Sequence, residues 1–525
     1  MSQDKAGSDR IRMVKDAGVV GGATVVSRIL GLVRDAVMAA IFGATPAADA
    51  FFVAFRIPNL MRQLFGEGAL ASSFVPVYTD IMEKEGEKRA GQFASDLFSL
   101  LILILTVLTV LGVLFAPYLV RVIALGFTPG SEIFNLTVLL TRWMLPYMVF
   151  ICAAAFGMGI LNSHRHFFAP AAAPALLNIS IIIAALLVAP GLDIPVTALA
   201  WGVLAGGVMQ LLVQLPPMKR RGVIPRLKIP VLTPEVRRMA IIMGPAALGV
   251  AVYQVNILVD TLLASFLPAG SITYLWYGNR MMQFPLGVFG IALATAALPT
   301  LSSQVAQGRI DDFRGTVSFS LVLTAFIGIP AALGLVVLRE PIIATLFGRG
   351  AFAVGDVQGA AQALLYYSIG LPLFIGIKIL GRAFFALENT RIPFLAAGTA
   401  LVVNIVLNLL LMGPMGHAGL ALATSLASGV NLLILARYFT LKIGPGWFDR
   451  ALRREILFSF AAATLMLLVI GALAQRVNWM DLTTPSRVLY LVGCMGIGIG
   501  VYSVTSWKLG CKGLKTLVNK VFKKP

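Results

Sequence analysis

Apolar residues run along this chain in stretches of roughly twenty or more, separated by short polar segments. They lack the period-two alternation of a half-buried strand. Membrane barrels need alternating segments of about ten residues, so these runs predict membrane-spanning helices. Fourteen are expected, over 17–42, 49–79, 92–123, 134–161, 167–189, 195–216, 238–266, 273–306, 316–338, 358–388, 393–412, 417–441, 454–475 and 487–508. The predicted fold class is therefore an all-α polytopic membrane protein with 14 transmembrane helices. Residues 1–16 are polar and mixed in charge, without a small-residue cleavage site behind a short apolar core. They predict a tail rather than a removable signal peptide.

A weak internal repeat organises the spans. LNSHRHFFAPAAAPALLN (161–178) aligns with LENTRIPFLAAGTALVVN (387–404), which sets Leu161 on Leu387, Arg165 on Arg391 and Asn178 on Asn404. Upstream, ALASSFVP (69–76) meets ALATAALP (292–299) at nearly the same offset. Two six-helix lobes follow, 17–217 and 238–441, joined by a basic linker over 218–237. Six is even, so the copies are expected to insert the same way up, as parallel repeats around a central cavity. Helices thirteen and fourteen (442–508) and a basic tail (509–525) lie outside the repeat. The glycines of GCMGIGIG (493–500) follow no strand and are read as helix-packing positions, not a phosphate loop.

Composition sharpens the class. The 525 residues are 58% hydrophobic and only 12% charged, too apolar for any soluble core, which excludes a soluble enzyme or a disordered regulator. Three scattered cysteines and three histidines offer neither a disulfide framework nor a metal centre. The formal charge of +19 would suit nucleic acid, but its placement argues otherwise. Most of the 42 Lys and Arg residues fall on the side of the N-terminus, in MEKEGEKR, MKRRGVIPRLK, RALRRE and the last seventeen residues. The opposite side holds Arg121, Arg339, Arg349, Arg476 and Arg487. This bias places both termini in the cytoplasm, with the tail near anionic membrane lipids and no nucleic-acid partner.

Eight basic residues remain inside the spans: Arg28, Arg34, Arg56, Arg62, Arg142, Arg280, Lys378 and Arg382. Arg56 and Arg142 are read as structural. Each arginine at the bilayer centre costs ~2.5–3.5 kcal/mol even on the lenient insertion scale, so a cluster needs a watery cavity or acids. Asp35, Asp49 and Glu67 supply some pairing in the first two spans, with Asn59 close by as a further polar contact. Arg280 has only Asn279 and Gln283 beside it. A surplus of guanidinium groups suits phosphate or carboxylate, which the planar fork binds at two points. Lys378 and Arg382, four apart, extend this surface. Internal salt bridges between the repeats are the competing reading. A second cluster is polar without being basic: Asn256 and Asp260, Asn404 and Asn408, and Thr424. It suits a small hard cation, or equally a buried hydrogen-bonded group. No catalytic motif appears, so no enzyme and no resident cofactor are expected.

SRILGLVRDAVMAAIFGATPAADAFFVAFRIPNLMRQLFGEGALASSFVPV (27–77) is similar to the N-terminal signature of the MurJ (MviN) family. The resemblance extends through QLPPMKRRG (214–222), MGPAALGV (243–250), GHAGLALA (416–423) and the two extra helices. It implies a bacterial flippase of lipid II, the undecaprenyl-pyrophosphate-linked peptidoglycan precursor, within the multidrug/oligosaccharidyl-lipid/polysaccharide exporter superfamily. It also implies two lobes forming a V around a cavity, a lipid-tail groove at the last two helices, and contact with the peptidoglycan synthesis machinery. The family's important arginines match Arg28, Arg34, Arg62 and Arg280, and its second-span acid matches Asp49. A sodium site described in relatives matches Asp260, Asn404, Asn408, Thr424 and the Leu420 backbone, making sodium or a proton the expected coupling cation. Asn279, Gln283 and Asn408 stand where relatives carry acids. The alternatives are a flippase for another polyprenyl-linked sugar, whose charge logic is the same, a cation exporter, which would need an acidic cavity, and a scaffold.

Overall fold

A computed structural model describes residues 2–63 and 69–513. Among them every ordered element is a helix, and helix covers each of the fourteen expected segments. Backbone polar groups have no water to turn to in lipid, so the chain satisfies them within each helix. Contacts divide it into two compact units, Met1–Phe266 and Leu267–Pro525.

The first unit contains α1 (Ser2–Phe42), α2 (Pro46–Met61), α3 (Ala69–Glu85), α4 (Glu87–Leu114), α5 (Ala116–Ile123), α6 (Glu132–Met144), α7 (Tyr147–Ser163), α8 (Phe168–Ile183), α9 (Thr197–Leu212), α10 (Leu215–Arg220) and α11 (Pro234–Ala264). Within it α1 packs on α8, α8 on α9, α7 on α9, α3 on α4 and α7, and α11 on α3. Phe74, Tyr78, Phe93 and Phe156 form its aromatic core. The second unit contains α12 (Ser271–Pro285), α13 (Ala292–Ala306), α14 (Ile310–Val337), α15 (Arg339–Leu346), α16 (Val354–Ile369), α17 (Leu371–Ala386), α18 (Arg391–Met415), α19 (His417–Ile443), α20 (Arg450–Ala474) and α21 (Thr484–Leu509). Its strongest packing joins α18 to α19, α14 to α20 and α12 to α16, and Phe313, Phe384, Phe439 and Trp447 belong to its hydrophobic core. Leu103, Val107, Val402 and Leu410 face outward, as lipid permits.

Several expectations change. Ten continuous helices among the described residues are long and apolar enough to cross a membrane, and an eleventh is the pair α16 and α17, bent by 43° at Gly370. At the first, second and seventh expected spans lie α1, then α2 and α3, and then α11. Other spans are interrupted without being lost. Phe115 separates α4 from α5, and a π-helical turn at Leu286–Ile291 joins α12 to α13 after Pro285, whose missing N–H breaks the regular ladder. Over the expected tail the backbone is helical, since α1 runs back to Ser2. The expected second lobe begins at 238, whereas α11 packs within the first unit, on α3, α4 and α5. The linker over 218–237 contains the end of α10, a turn at 221–222 and the start of α11, leaving an extended strap at 223–233.

The repeat is real in its turns but differs in register. Among the described residues, Arg165 and Glu388 are the non-glycine residues with positive φ, 55° and 54°. Each sits in the same turn: His164, Arg165 and His166 donate to the carbonyls of Ile160, Asn162 and Leu161, as Leu387, Glu388 and Asn389 do to those of Ala383, Phe385 and Phe384. Glu388 stands 223 residues after Arg165, as Ala292 does after Ala69 where α13 and α3 begin. Pro170 and Pro393 keep the same spacing at the starts of α8 and α18. Pairing Arg165 with Arg391 and Asn178 with Asn404 is therefore three residues out of step. Ala- and Leu-rich spans hold little register information, and a left-handed turn holds much.

Candidate functional site

Arg28 and Arg34 lie six residues apart on α1, about 120° around the helix at 100° per residue, so they face different surroundings. Arg28 is exposed beside Ile29. Arg34 is only 8% exposed and turns toward α8. Its Nε and Nη2 donate to Asp35 Oδ1 at 3.0 and 2.6 Å, and its Nη1 donates to Asn178 Oδ1 at 3.2 Å. The Asn178 amide returns a bond to the Ser27 carbonyl at 3.1 Å. This network ties α1 to α8 and balances the Arg34 charge locally.

Asp49 is buried in the first turn of α2, where unpaired N–H groups favour a carboxylate. Thr45 caps that helix, accepting from Ala48 N at 3.4 Å, and Pro46 fits the first turn because its missing N–H costs nothing there. At the other end of α2, half-buried Arg62 donates Nε and Nη2 to Asn59 Oδ1 at 3.2 and 3.1 Å. An amide oxygen orients the guanidinium without cancelling its charge. Glu67 lies outside the described residues.

In the second unit Arg280 is half-buried on α12. Its neighbours Asn279 and Gln283 bond to each other, the Gln283 amide donating to Asn279 Oδ1. Two neutral amides thus close on themselves beside the arginine. On α17 Lys378 is exposed, while Arg382 is half-buried with its guanidinium 5.9 Å from the Phe385 ring centre. Like charges at i and i+4 repel.

The polar cluster divides between the units. Asn408 donates to Asn404 Oδ1 at 2.9 Å, Asn404 to Thr424 Oγ1 at 3.2 Å, and Thr424 to the Leu420 carbonyl at 3.0 Å, all in the second unit. Asp260, on α11 in the first unit, accepts from Asn256 at 3.3 Å. The oxygens suit a hard cation by type, but Asn404 Oδ1, Thr424 Oγ1 and the Leu420 carbonyl already accept from neighbouring N–H and O–H groups, and the carboxylate is not in the same unit. Among the described residues no group of three or more His, Cys, Asp and Glu side chains gathers to hold a metal.

Sequence reasoning missed two features. Asn178 drew notice only as a repeat marker, yet it completes the Arg34 network. Arg487, read as an outer-segment charge, is buried and donates to the carbonyls of Ala344, Gly348, Met480 and Leu482 at 2.6–3.0 Å. Asn178 lies 144 residues from Arg34, and Ala344 and Gly348 lie 143 and 139 residues from Arg487, separations no spacing rule detects.

A family model described as lipid II flippase MurJ matches residues 38–492. A probable lipid II flippase MurJ of Vibrio cholerae is 36% identical over 512 residues, 95% of this chain and 97% of that one. A lipid II flippase MurJ of Burkholderia cenocepacia is 34% identical over 503 residues, covering 94% and 96%. Among solved structures, a lipid II flippase MurJ in its inward closed conformation superposes with a TM-score of 0.78 at 28% identity, over 96% of this chain and 99% of that one. An inward-facing multidrug transporter of the MATE family reaches 0.71 at 14% identity, over 83% and 99%, a likeness of fold alone.

Proposed function

Because the chain belongs to the MurJ family of lipid II flippases, we propose that it carries lipid II from the inner to the outer leaflet of the bacterial cytoplasmic membrane by alternating access, its headgroup held by arginines. The chain is a multi-pass membrane protein and a transporter rather than a catalyst. The observation that carries the reading is the match over nearly the whole length, which includes the residues around Arg62 and Arg280.

The arginines divide the work. Exposed Arg28 and half-buried Arg62 present charge to the pyrophosphate, and Asn59 holds the Arg62 fork in one orientation. Arg280, beside the neutral amides of Asn279 and Gln283, adds a third guanidinium. Arg34, balanced by Asp35, sets the position of α1 and so of Arg28. Asp49 in the first unit and the Lys378–Arg382 pair in the second are further polar positions in this reading. The polyprenyl tail stays in lipid along α20 and α21, so only the headgroup needs a polar route. The bias of Lys and Arg supports cytoplasmic termini, and the outer leaflet is where wall-synthesis enzymes would meet the product. A coupling cation would draw on Asp260, Asn404, Asn408, Thr424 and the Leu420 carbonyl, and the Asn404 and Asn408 amides would have to turn their N–H groups away. Sodium-dependent flipping that Asn404→Leu abolishes would support that cation, and equal flipping in potassium would remove it.

The test is depletion of the protein in its host, followed by an externally added enzyme that cleaves only outward-facing headgroups. Lipid II should accumulate and become protected. If it stays fully cleavable, lipid II is not the cargo, and other polyprenyl-linked sugars become the candidates.

A further inference from the structure

The strap between α10 and α11 is neither helix nor free loop. It runs extended across the flank of α4 and is fastened there by specific bonds. Arg226 N donates to Ser95 Oγ at 3.1 Å, Lys228 N donates to Ser99 Oγ at 3.0 Å, and Lys228 Nζ pairs with buried Asp96 at 2.8 Å. Around the fastened Arg226 and Lys228, Leu227 is 68% exposed, Ile229 87%, Val231 54% and Ile224 41%, while Val223 packs against the core of the first unit. Leu232 is also exposed. Folding gains nothing from leaving a row of large aliphatic side chains in water.

The height of the strap on α4 indicates what covers that row. It crosses at Ser95–Ser99, and the outward-facing aliphatic surface of α4 begins at Leu103 and Ile104. Four residues further along a helix is about 6 Å, so the strap lies one turn beyond the lipid-facing zone, at headgroup depth. Its charge matches such a surface. Residues 218–238 contain Lys219, Arg220, Arg221, Arg226, Lys228, Arg237 and Arg238 against one acid, Glu235, which pairs with Arg89 at 2.7 Å.

We propose that residues 224–232 are an interfacial anchor, seating Leu227, Ile229 and Val231 among the acyl-chain ends of the adjoining leaflet while the flanking arginines hold anionic phospholipid headgroups. The Ser95, Asp96 and Ser99 bonds prevent the strap from lifting off, so the anchor fixes the end of α4 to the membrane surface. The inference goes beyond the transport reading, and its test measures no transport, so either can fail alone.

The experiment uses the full chain with Ile229→Cys, carrying an environment-sensitive fluorophore, in vesicles of phosphatidylcholine with or without phosphatidylglycerol. Cys152, Cys494 and Cys511 are buried, and wild-type protein controls for their labelling. A nitroxide lipid labelled near the headgroup should quench the probe more than aqueous iodide does, and more strongly when phosphatidylglycerol is present. Arg220→Gln with Arg226→Gln should weaken the phosphatidylglycerol dependence, roughly five-fold per residue, the equivalent of ~1 kcal/mol for each basic group near an anionic surface. A probe quenched mainly by iodide overturns the proposal, as does one that neither quencher reaches, which would indicate a protein cover. Equal lipid quenching with and without phosphatidylglycerol overturns the headgroup contact. Leu227→Cys repeats the measurement if the first variant misfolds.

Discussion

Asp35→Ala would leave the Arg34 guanidinium, 8% exposed, without the carboxylate that lies 2.6 Å from it. Breaking a buried ion pair by removing one partner costs about 3–5 kcal/mol, because the remaining charge stays buried. Asn178 keeps one bond to Arg34 at 3.2 Å, and an amide oxygen offsets only part of that loss. At about 2–3 °C per kcal/mol for a unit of this size, the melting temperature should fall by roughly 6–15 °C. Intrinsic-fluorescence unfolding of purified protein in detergent reads this directly. The double variant Arg34→Met, Asp35→Leu removes both charges and should recover most of the stability, since apolar replacements of a buried pair are often neutral. Assaying flipping in that variant separates two roles. If Arg34 only braces α1 against α8, flipping survives together with stability. If Arg34 also touches the headgroup, stability returns and flipping does not. A melting temperature unchanged in Asp35→Ala would refute the buried-pair account.

Arg28→Ala should abolish growth support while leaving the amount of protein in the membrane unchanged, because the side chain is exposed; normal growth on that allele would remove Arg28 from the site. Arg487→Met strands four carbonyls that now accept from the guanidinium, a loss of about 4 kcal/mol or more at ~1–3 each. Faster proteolysis around residues 475–484 would register it, and unchanged digestion would count against it. His164, outside the spans, accepts or shares a hydrogen bond with Tyr78 at 3.1 Å, and burial, aided by Arg221, lowers its pKa below the ordinary 6.5 against an opposing pull from Glu87. The neutral form is thus favoured in the fold, so stability is full above about pH 6.5 and declines as pH falls from there toward the lowered value. His164→Phe should flatten that slope in melting curves between pH 7.5 and 5.5 (roughly the range a histidine reports). At Gly419 an added Cβ would run into the Leu411 backbone carbonyl across the α18–α19 turn, so Gly419→Ala should sharply reduce folded protein on size-exclusion chromatography.

The position and order of the helices were legible in the chain because a membrane helix is a local object. About twenty apolar residues suffice to make one, and no distant partner is needed to know it exists. The basic bias and the unusual load of arginines in the first spans were legible for the same reason, since the cost of a charge in lipid depends on its own position. Side-chain partnership was not. Arg28 and Arg34 look equivalent in sequence, and only the packing of α1 on α8 distinguishes the exposed charge from the one that Asp35 and Asn178 neutralise. The same holds for Arg487, whose carbonyl acceptors at Ala344 and Gly348 lie on another helix and its trailing turn.

Register and boundaries followed a similar division. Ala- and Leu-rich stretches align at several offsets, so the duplication was detectable while its true spacing awaited the left-handed turns at Arg165 and Glu388. Composition marked 218–237 as a basic linker, but not that Ser95, Asp96 and Ser99 would fasten it, nor that α11 would pack in the first unit. Hydropathy is a sum over neighbours in sequence and is determined by the sequence alone. Charge pairing, helix interruption and the attachment of the strap depend on neighbours in space, and those exist only once the helices have packed.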